Sequence, residues 1–148
     1  MPNTFTSLNY HLIFSTKDRK PLVVPSWRER LHEYMGGSVR GLGGTALQIG
    51  GVEAHVHLLV SLKPTMCIAD FLRELKKTSS AWVSDVVGLS EFYWQEGYSA
   101  FTVSASAIES VQRYVATQEE HHRKRSFRDE LRILLRKSGV SFDERYLD

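Results

Sequence analysis

A chain of 148 residues with 42% hydrophobic and 24% charged residues fits one globular domain with a real core, and excludes a disordered or fibrous protein. Its formal net charge of +2 specifies no polyanionic partner, so the distribution of charge has to be read instead. The single cysteine, Cys67, excludes an internal disulfide, and neither a signal-peptide pattern nor a membrane-length apolar run is present; a soluble cytoplasmic protein is expected.

Residues 5–15 alternate, with Leu8, Tyr10, Leu12 and Phe14 on one face and Asn9, His11, Ile13 and Ser15 on the other, which predicts a strand. Lys17-Asp18-Arg19-Lys20 follows as a short basic turn. A helix opens at Pro25-Ser26, where Ser26 and Glu29 have the spacing of a capping box. Leu31, Tyr34 and Met35 begin its buried stripe, and Gly36, Gly37, Gly41, Gly43 and Gly44 weaken and then end it. Thr45 to Ile49 and His55 to Leu62 read as strands joined through Gly50-Gly51 into a hairpin. The second is apolar enough at Leu58, Leu59, Val60 and Leu62 to be central and covered on both faces.

A long helix fits residues 67–87, with Ile68, Phe71, Leu72, Leu75, Trp82, Val83 and Val86 on one side and Arg73, Lys76 and Lys77 off it. Phe92 to Val103 predicts one strand, or two short ones interrupted near Gly97. A third helix over 107–124 buries Ile108, Val111, Tyr114 and Val115. Ser126 caps a last helix over 127–138, which Gly139 ends. The order β-α-β-β-α-β followed by helices predicts an α+β fold: a ferredoxin-like, RRM-like sandwich on a central antiparallel sheet. One domain is expected over 1–148, with a core to 104, a tyrosine-bearing helix over 105–124, and a C-terminal helix and tail over 125–148.

The chemistry concentrates in a few residues. His55 and His57 are two apart on a strand, so both imidazoles point to one face and could supply half of a divalent-metal site. Six histidines in this length produce a His-x-His by chance with a probability on the order of 0.2, so the pair needs company. Tyr114 and Gln118 supply it, lying at i and i+4 on one helix face. Gln118 offers a neutral carbonyl oxygen beside two neutral imidazoles, a shell suited to Mg²⁺ or Mn²⁺ with positions left open for a phosphate oxygen. Tyr114 is a residue able to attack phosphorus covalently.

Plainer readings compete. A tyrosine on a helix's apolar side is usually core, and a glutamine four residues on is usually surface. His11 fits a satisfied core histidine. His121 and His122 fit a solvated or DNA-facing segment, with His121 also a weak alternative ligand. Between His121 and Lys137 seven lysines and arginines face only Asp129 and Glu130.

His55-Val56-His57 on a strand followed by Tyr114-x-x-x-Gln118 on a helix resembles the single-tyrosine HUH transposases of insertion sequence 200/605 elements and their REP-associated relatives. Tyr10 to Lys17, Trp94 to Ser104 and Gln118 to Phe127 look similar too, so the resemblance covers nearly the whole chain. It implies a metal-dependent transposase that cleaves and rejoins single-stranded DNA at imperfect hairpins through a 5′-phosphotyrosine. Tyr114 would be the nucleophile, and His55, His57 and Gln118 the ligands of Mg²⁺ or Mn²⁺. It further implies a homodimer, in which the tyrosine helix can serve the partner's histidines. Lys17, Arg19, Lys20, Lys76, Lys77 and Arg123 are candidate DNA contacts. The alternatives are a non-catalytic, RRM-like nucleic-acid-binding module and, with only one cysteine and no second ligand pair, a structural Zn²⁺ protein.

Overall fold

The computed structural model describes residues 3–147. Four strands form one antiparallel sheet in the order β2-β3-β1-β4: β1 (Asn9–Ser15), β2 (Thr45–Gly51), β3 (His55–Ser61) and β4 (Ser99–Val103). The expected hairpin of β2 with β3 forms. β1 then pairs on the far side of β3, which puts β3 at the centre, as its unbroken apolar run predicted. Leu47 is the extra residue of a bulge in β2, where the register shifts between Ala46 and Gln48.

Alternation along the strands divides the molecule into two layers of packing. Leu12, Phe14, Val56, Leu58 and Val60 point to one face and bury Leu31, Met35 and Val39 of α1 (Pro25–Gly41) and Phe71, Leu72 and Leu75 of α2 (Ile68–Trp82). The opposite face carries His11, Ile13, His55, His57, Leu59, Phe101 and Val103. It is covered by three short helices: α3 (Ile108–Ala116), α4 (Gln118–Lys124) and α5 (Phe127–Lys137). Val115 seals Leu59 and Val103, while Leu131 and Leu135 seal Ile13 and Phe101. Histidines thus occupy the floor of a second, smaller core.

Local details depart from the expectations in three places. α1 starts at Pro25, with Val24 as the N-cap and no side-chain cap, so Ser26 and Glu29 form no capping box. Proline's fixed φ suits the first helical position and pulls the start two residues earlier, from a cap at Ser26 to one at Val24. α2 continues through Val83–Val87 in a wider π turn and stops at Gly88, whose φ is 89°. The helix expected over 107–124 is two helices, because Thr117 leaves helical geometry at φ −113° and ψ 36°. Its hydroxyl donates to the carbonyl of Arg113 (2.9 Å), a bond that competes with the helical ladder. The last helix matches its expectation: Ser126 accepts from the Asp129 amide, and Gly139 takes a positive φ of 69° just beyond.

Candidate active site

β3 presents His55 and His57 side by side, their ring centroids 5.2 Å apart and both fully buried. His11, on the neighbouring strand β1, is a diagonal neighbour of His57, since it pairs with Leu59. Nε2 of His11 lies 2.7 Å from Nδ1 of His57. The core-histidine reading of His11 therefore holds, with His57 as the group that satisfies it.

α3 lies close over this floor because of one glycine. Gly50 stands opposite His57 in the β2–β3 register, on the same face, and a Cβ there would collide with the carbonyl oxygen of Val115. Main chain thus packs on main chain, and the preceding residue, Tyr114, is brought over the histidines. Its ring centroid lies 5.9 Å from His57 and 6.1 Å from His11, and it stacks on His121 at 4.4 Å. The tyrosine and the histidine pair meet within one chain.

The break at Thr117 turns Gln118 inward. The residue is 1% exposed, and its amide nitrogen donates to the Tyr114 carbonyl (3.1 Å). Its carbonyl oxygen and Nε2 of His55 are buried without a hydrogen-bond partner. Leaving two such atoms dry costs about 1–3 kcal/mol each unless something binds them. A divalent cation accepts both kinds of donor, so these residues fit the metal that their pattern implied.

A residue that the sequence reading passed over completes the cluster. Glu130 of α5 is 2% exposed. Its Oε1 faces Nε2 of His57 at 3.0 Å, of His122 at 3.3 Å and of His55 at 3.8 Å. Its Oε2 accepts a short hydrogen bond from the Tyr114 hydroxyl. His122 is turned inward rather than to solvent, with its ring 4.4 Å from His55. His55, His122 and Glu130 offer ligand atoms that all lie within 4.8 Å of one another. One signal could have found Glu130: it stands with Phe127, Leu131 and Leu134 on the apolar stripe of α5, where a carboxylate needs a reason.

Burial sets the electrostatics. It pushes His11 down to about 3, with His57 adding to the shift and Glu130 opposing it. Burial also drives His55 and His57 well below the ordinary histidine range. These imidazoles are neutral at physiological pH and keep a nitrogen lone pair for a ligand. Burial would raise Glu130, but its hydrogen bonds with His122 and His57 win and hold it below the usual carboxylate range. Tyr114 is raised, first by burial and then by its bond to Glu130, so the resting phenol keeps its proton.

The basic candidates separate. Lys17, Lys20, Lys77 and Arg123 are exposed. Arg19 lies over the Phe127 ring at 4.7 Å, and that ring stacks on His55 at 4.1 Å, so the basic turn borders the cluster. Lys76 instead donates to the carbonyls of Gln95, Glu96 and Gly97 at 2.9, 3.2 and 2.7 Å, holding the loop before β4. Cys67 is exposed at the start of α2, on none of the site's elements. Among the described residues no helix is long and apolar enough to cross a membrane.

Comparison with known proteins decides the family: residues 4–118 match the family described as transposase, IS200-like. The chain belongs to the IS200-like transposases. It is 25% identical to the ISDra2 transposase TnpA of Deinococcus radiodurans over 126 residues, 76% of this chain and 85% of that protein. A crystal structure of a Deinococcus radiodurans R1 protein assigned to the transposases superposes with a TM-score of 0.65. The two are 26% identical, with 78% of this chain and 93% of that one covered. The structure of a REP-associated tyrosine transposase bound to a REP hairpin shares the fold at a TM-score of 0.56 and 13% identity, covering 78% and 68%. The transposase family implies an enzyme that processes DNA in recombination. His122 and Glu130 lie beyond the matched segment.

Proposed function

We propose that this protein cleaves and rejoins single-stranded DNA through a covalent bond between Tyr114 and the DNA phosphate. The observation that supports it most directly is the convergence, in one chain, of the Tyr114 hydroxyl, His55, His57 and the unpartnered carbonyl oxygen of Gln118. In this reading the phenol oxygen attacks phosphorus as its proton is released, the bond from phosphorus to the 3′-oxygen breaks, and that oxygen takes up a proton to leave as a 3′-hydroxyl. One phosphate ester replaces another, so the reverse attack by a 3′-hydroxyl rejoins the strand. His55, His57 and Gln118 would hold a Mg²⁺ or Mn²⁺ ion, which supplies Lewis-acid stabilisation of charge on the phosphate oxygens. α3, fixed by Gly50, sets the direction of the nucleophile.

The same reading assigns DNA with imperfect hairpins as substrate, by analogy with the hairpin-bound relative. Lys17, Lys20, Lys77 and Arg123 serve as phosphate contacts. In this reading Tyr114 of each chain attacks over its own histidines, as it lies over His57 here, within the homodimer that the resemblance implies. Binding on an open sheet face, as in an RNA-recognition module, has little support: Phe101 and Val103 of β4 are buried under the covering helices.

Incubation with Mn²⁺ and a hairpin-bearing single strand is expected to give a protein–DNA adduct stable to denaturant, and Tyr114→Phe is expected to abolish it. An undiminished adduct in that variant removes Tyr114 from the role. Mixing Tyr114→Phe with His57→Ala restores no adduct if each chain works alone.

A further inference from the structure

The arrangement around Glu130 exceeds what a His, His, Gln shell needs. Three imidazole Nε2 atoms, from His55, His57 and His122, face a single carboxylate oxygen across 3.0–3.8 Å. The carboxylate is buried, and those three histidines and the Tyr114 hydroxyl surround it. The nitrogens of His55 and His122 and the Glu130 carboxylate offer ligand atoms that all lie within 4.8 Å of one another, a spacing that one cation can span, and a buried carboxylate needs such a partner. At 3.8 Å from the carboxylate Nε2 of His55 makes no hydrogen bond, and neither does the buried Oε1 of Gln118.

We propose that Glu130 and His122 are additional ligands of the divalent cation, so that α4 and α5 complete a centre that β3 begins. The inference rests on the metal-dependent reading above, but concerns residues beyond the segment that the family match covers. It has a consequence for the choice of ion. Several imidazole nitrogens with one carboxylate suit Mn²⁺ and its transition-metal neighbours, whereas Mg²⁺ prefers oxygen ligands and retains its waters. The centre of this chain therefore favours Mn²⁺ over Mg²⁺.

The test uses Mn²⁺ alone, titrated into the full chain and followed by the loss of the free-ion electron paramagnetic resonance signal. Glu130→Gln keeps the size of the side chain and is expected to weaken Mn²⁺ binding by about tenfold or more. His122→Ala, at a less buried position, is expected to weaken it by about tenfold, and serves alone if far-UV circular dichroism shows Glu130→Gln to be unfolded. Displacing Mn²⁺ is expected to need at least about tenfold more Mg²⁺ than Mn²⁺ itself. Loss of affinity in a folded variant carries the proposal for that residue. If both variants bind within about twofold of the unaltered chain while His55→Ala does not bind, the family centre stands and this inference falls. If the unaltered chain binds no Mn²⁺, the metal-dependent reading falls with it.

Discussion

The hydroxyl of Tyr114 donates its hydrogen bond to Glu130, sixteen residues further along and on a different helix. The candidate nucleophile is therefore held by the same carboxylate that gathers the histidines. α3 and α5, with α4 between them in the chain, aim one oxygen, which explains why a phenol on an apolar helix side is here a polar contact rather than filler.

Gly50→Ala is expected to destabilise the fold by about 1–3 kcal/mol and to lower adduct formation, because the added methyl meets the Val115 carbonyl and lifts α3 from the sheet. Gly41→Ala is the matched control, since nothing lies within 4 Å of a Cβ there. Chemical denaturation compares the two; equal stability would show that α3 does not depend on this contact.

Arg28 ties the start of α4 to the opposite layer. It is buried and donates to the Val23 carbonyl, to Glu53 at 3.0 Å and to Glu119 at 2.7 Å. Removing it in Arg28→Ala is expected to cost about 1–3 kcal/mol, chiefly through the carbonyl and carboxylate left behind. Glu119→Gln removes one partner that is largely in solvent, and is expected to cost less than about 1 kcal/mol. A urea midpoint that moves equally in both variants contradicts this ranking.

Among the basic residues, Lys76→Ala is expected to lose about 1–2 kcal/mol of stability, as three carbonyls lose their donor at a partly exposed site. Its salt dependence of DNA binding should stay that of the unaltered chain. Lys17→Ala and Lys20→Ala are expected to behave oppositely, leaving stability intact and each reducing the slope of log affinity against log salt by about one. Fluorescence anisotropy at several salt concentrations separates them.

Acid is expected to loosen the fold well above the carboxylate range. Burial lowers His11 to about 3 and His32 to about 4, the latter helped by the positive Arg28. The unfolded chain binds these protons near pH 6.5 and the folded chain resists them. The contribution is full above pH 6.5 and is lost progressively as pH falls towards 4 and then 3. Thermal melts in chelator should show Tm falling over that window; a Tm flat from pH 7 to pH 4 contradicts the assignment.

Strand patterning made most of the sheet readable, since β1 alternates about an apolar face and β3 carries the near-continuous apolar run that a sheet covered on both faces rewards. It also made His55 and His57 readable as a pair. The spacing of Tyr114 and Gln118 pointed to each other, although the helix assumed to join them is broken at Thr117. What periodicity cannot carry is a side-chain meeting across 73 residues, such as that of His57 with Glu130. Glu130 and His122 sit in a stretch whose net positive charge reads as a solvated, DNA-facing surface. The burial of Glu130 follows from packing of α5 on Ile13 and Phe101, a tertiary fact with no local signature beyond one acid on an apolar stripe.

The short contact between His11 and His57 has a use that depends on neither ring's charge. While His57 donates through Nε2 to Glu130, its Nδ1 must accept, and His11 is the donor. Should Nε2 release its hydrogen to become a ligand, the hydrogen on Nε2 of His11 passes to Nδ1 of His57, His11 takes up one hydrogen at its own Nδ1, and His11 becomes the acceptor with both rings still neutral. The bond reverses without either ring turning or any buried atom going unpaired between them. Between strands that cannot shift, a pair of imidazoles is a joint that runs in both directions, and the floor of the site can change its protonation pattern while its shape stays fixed.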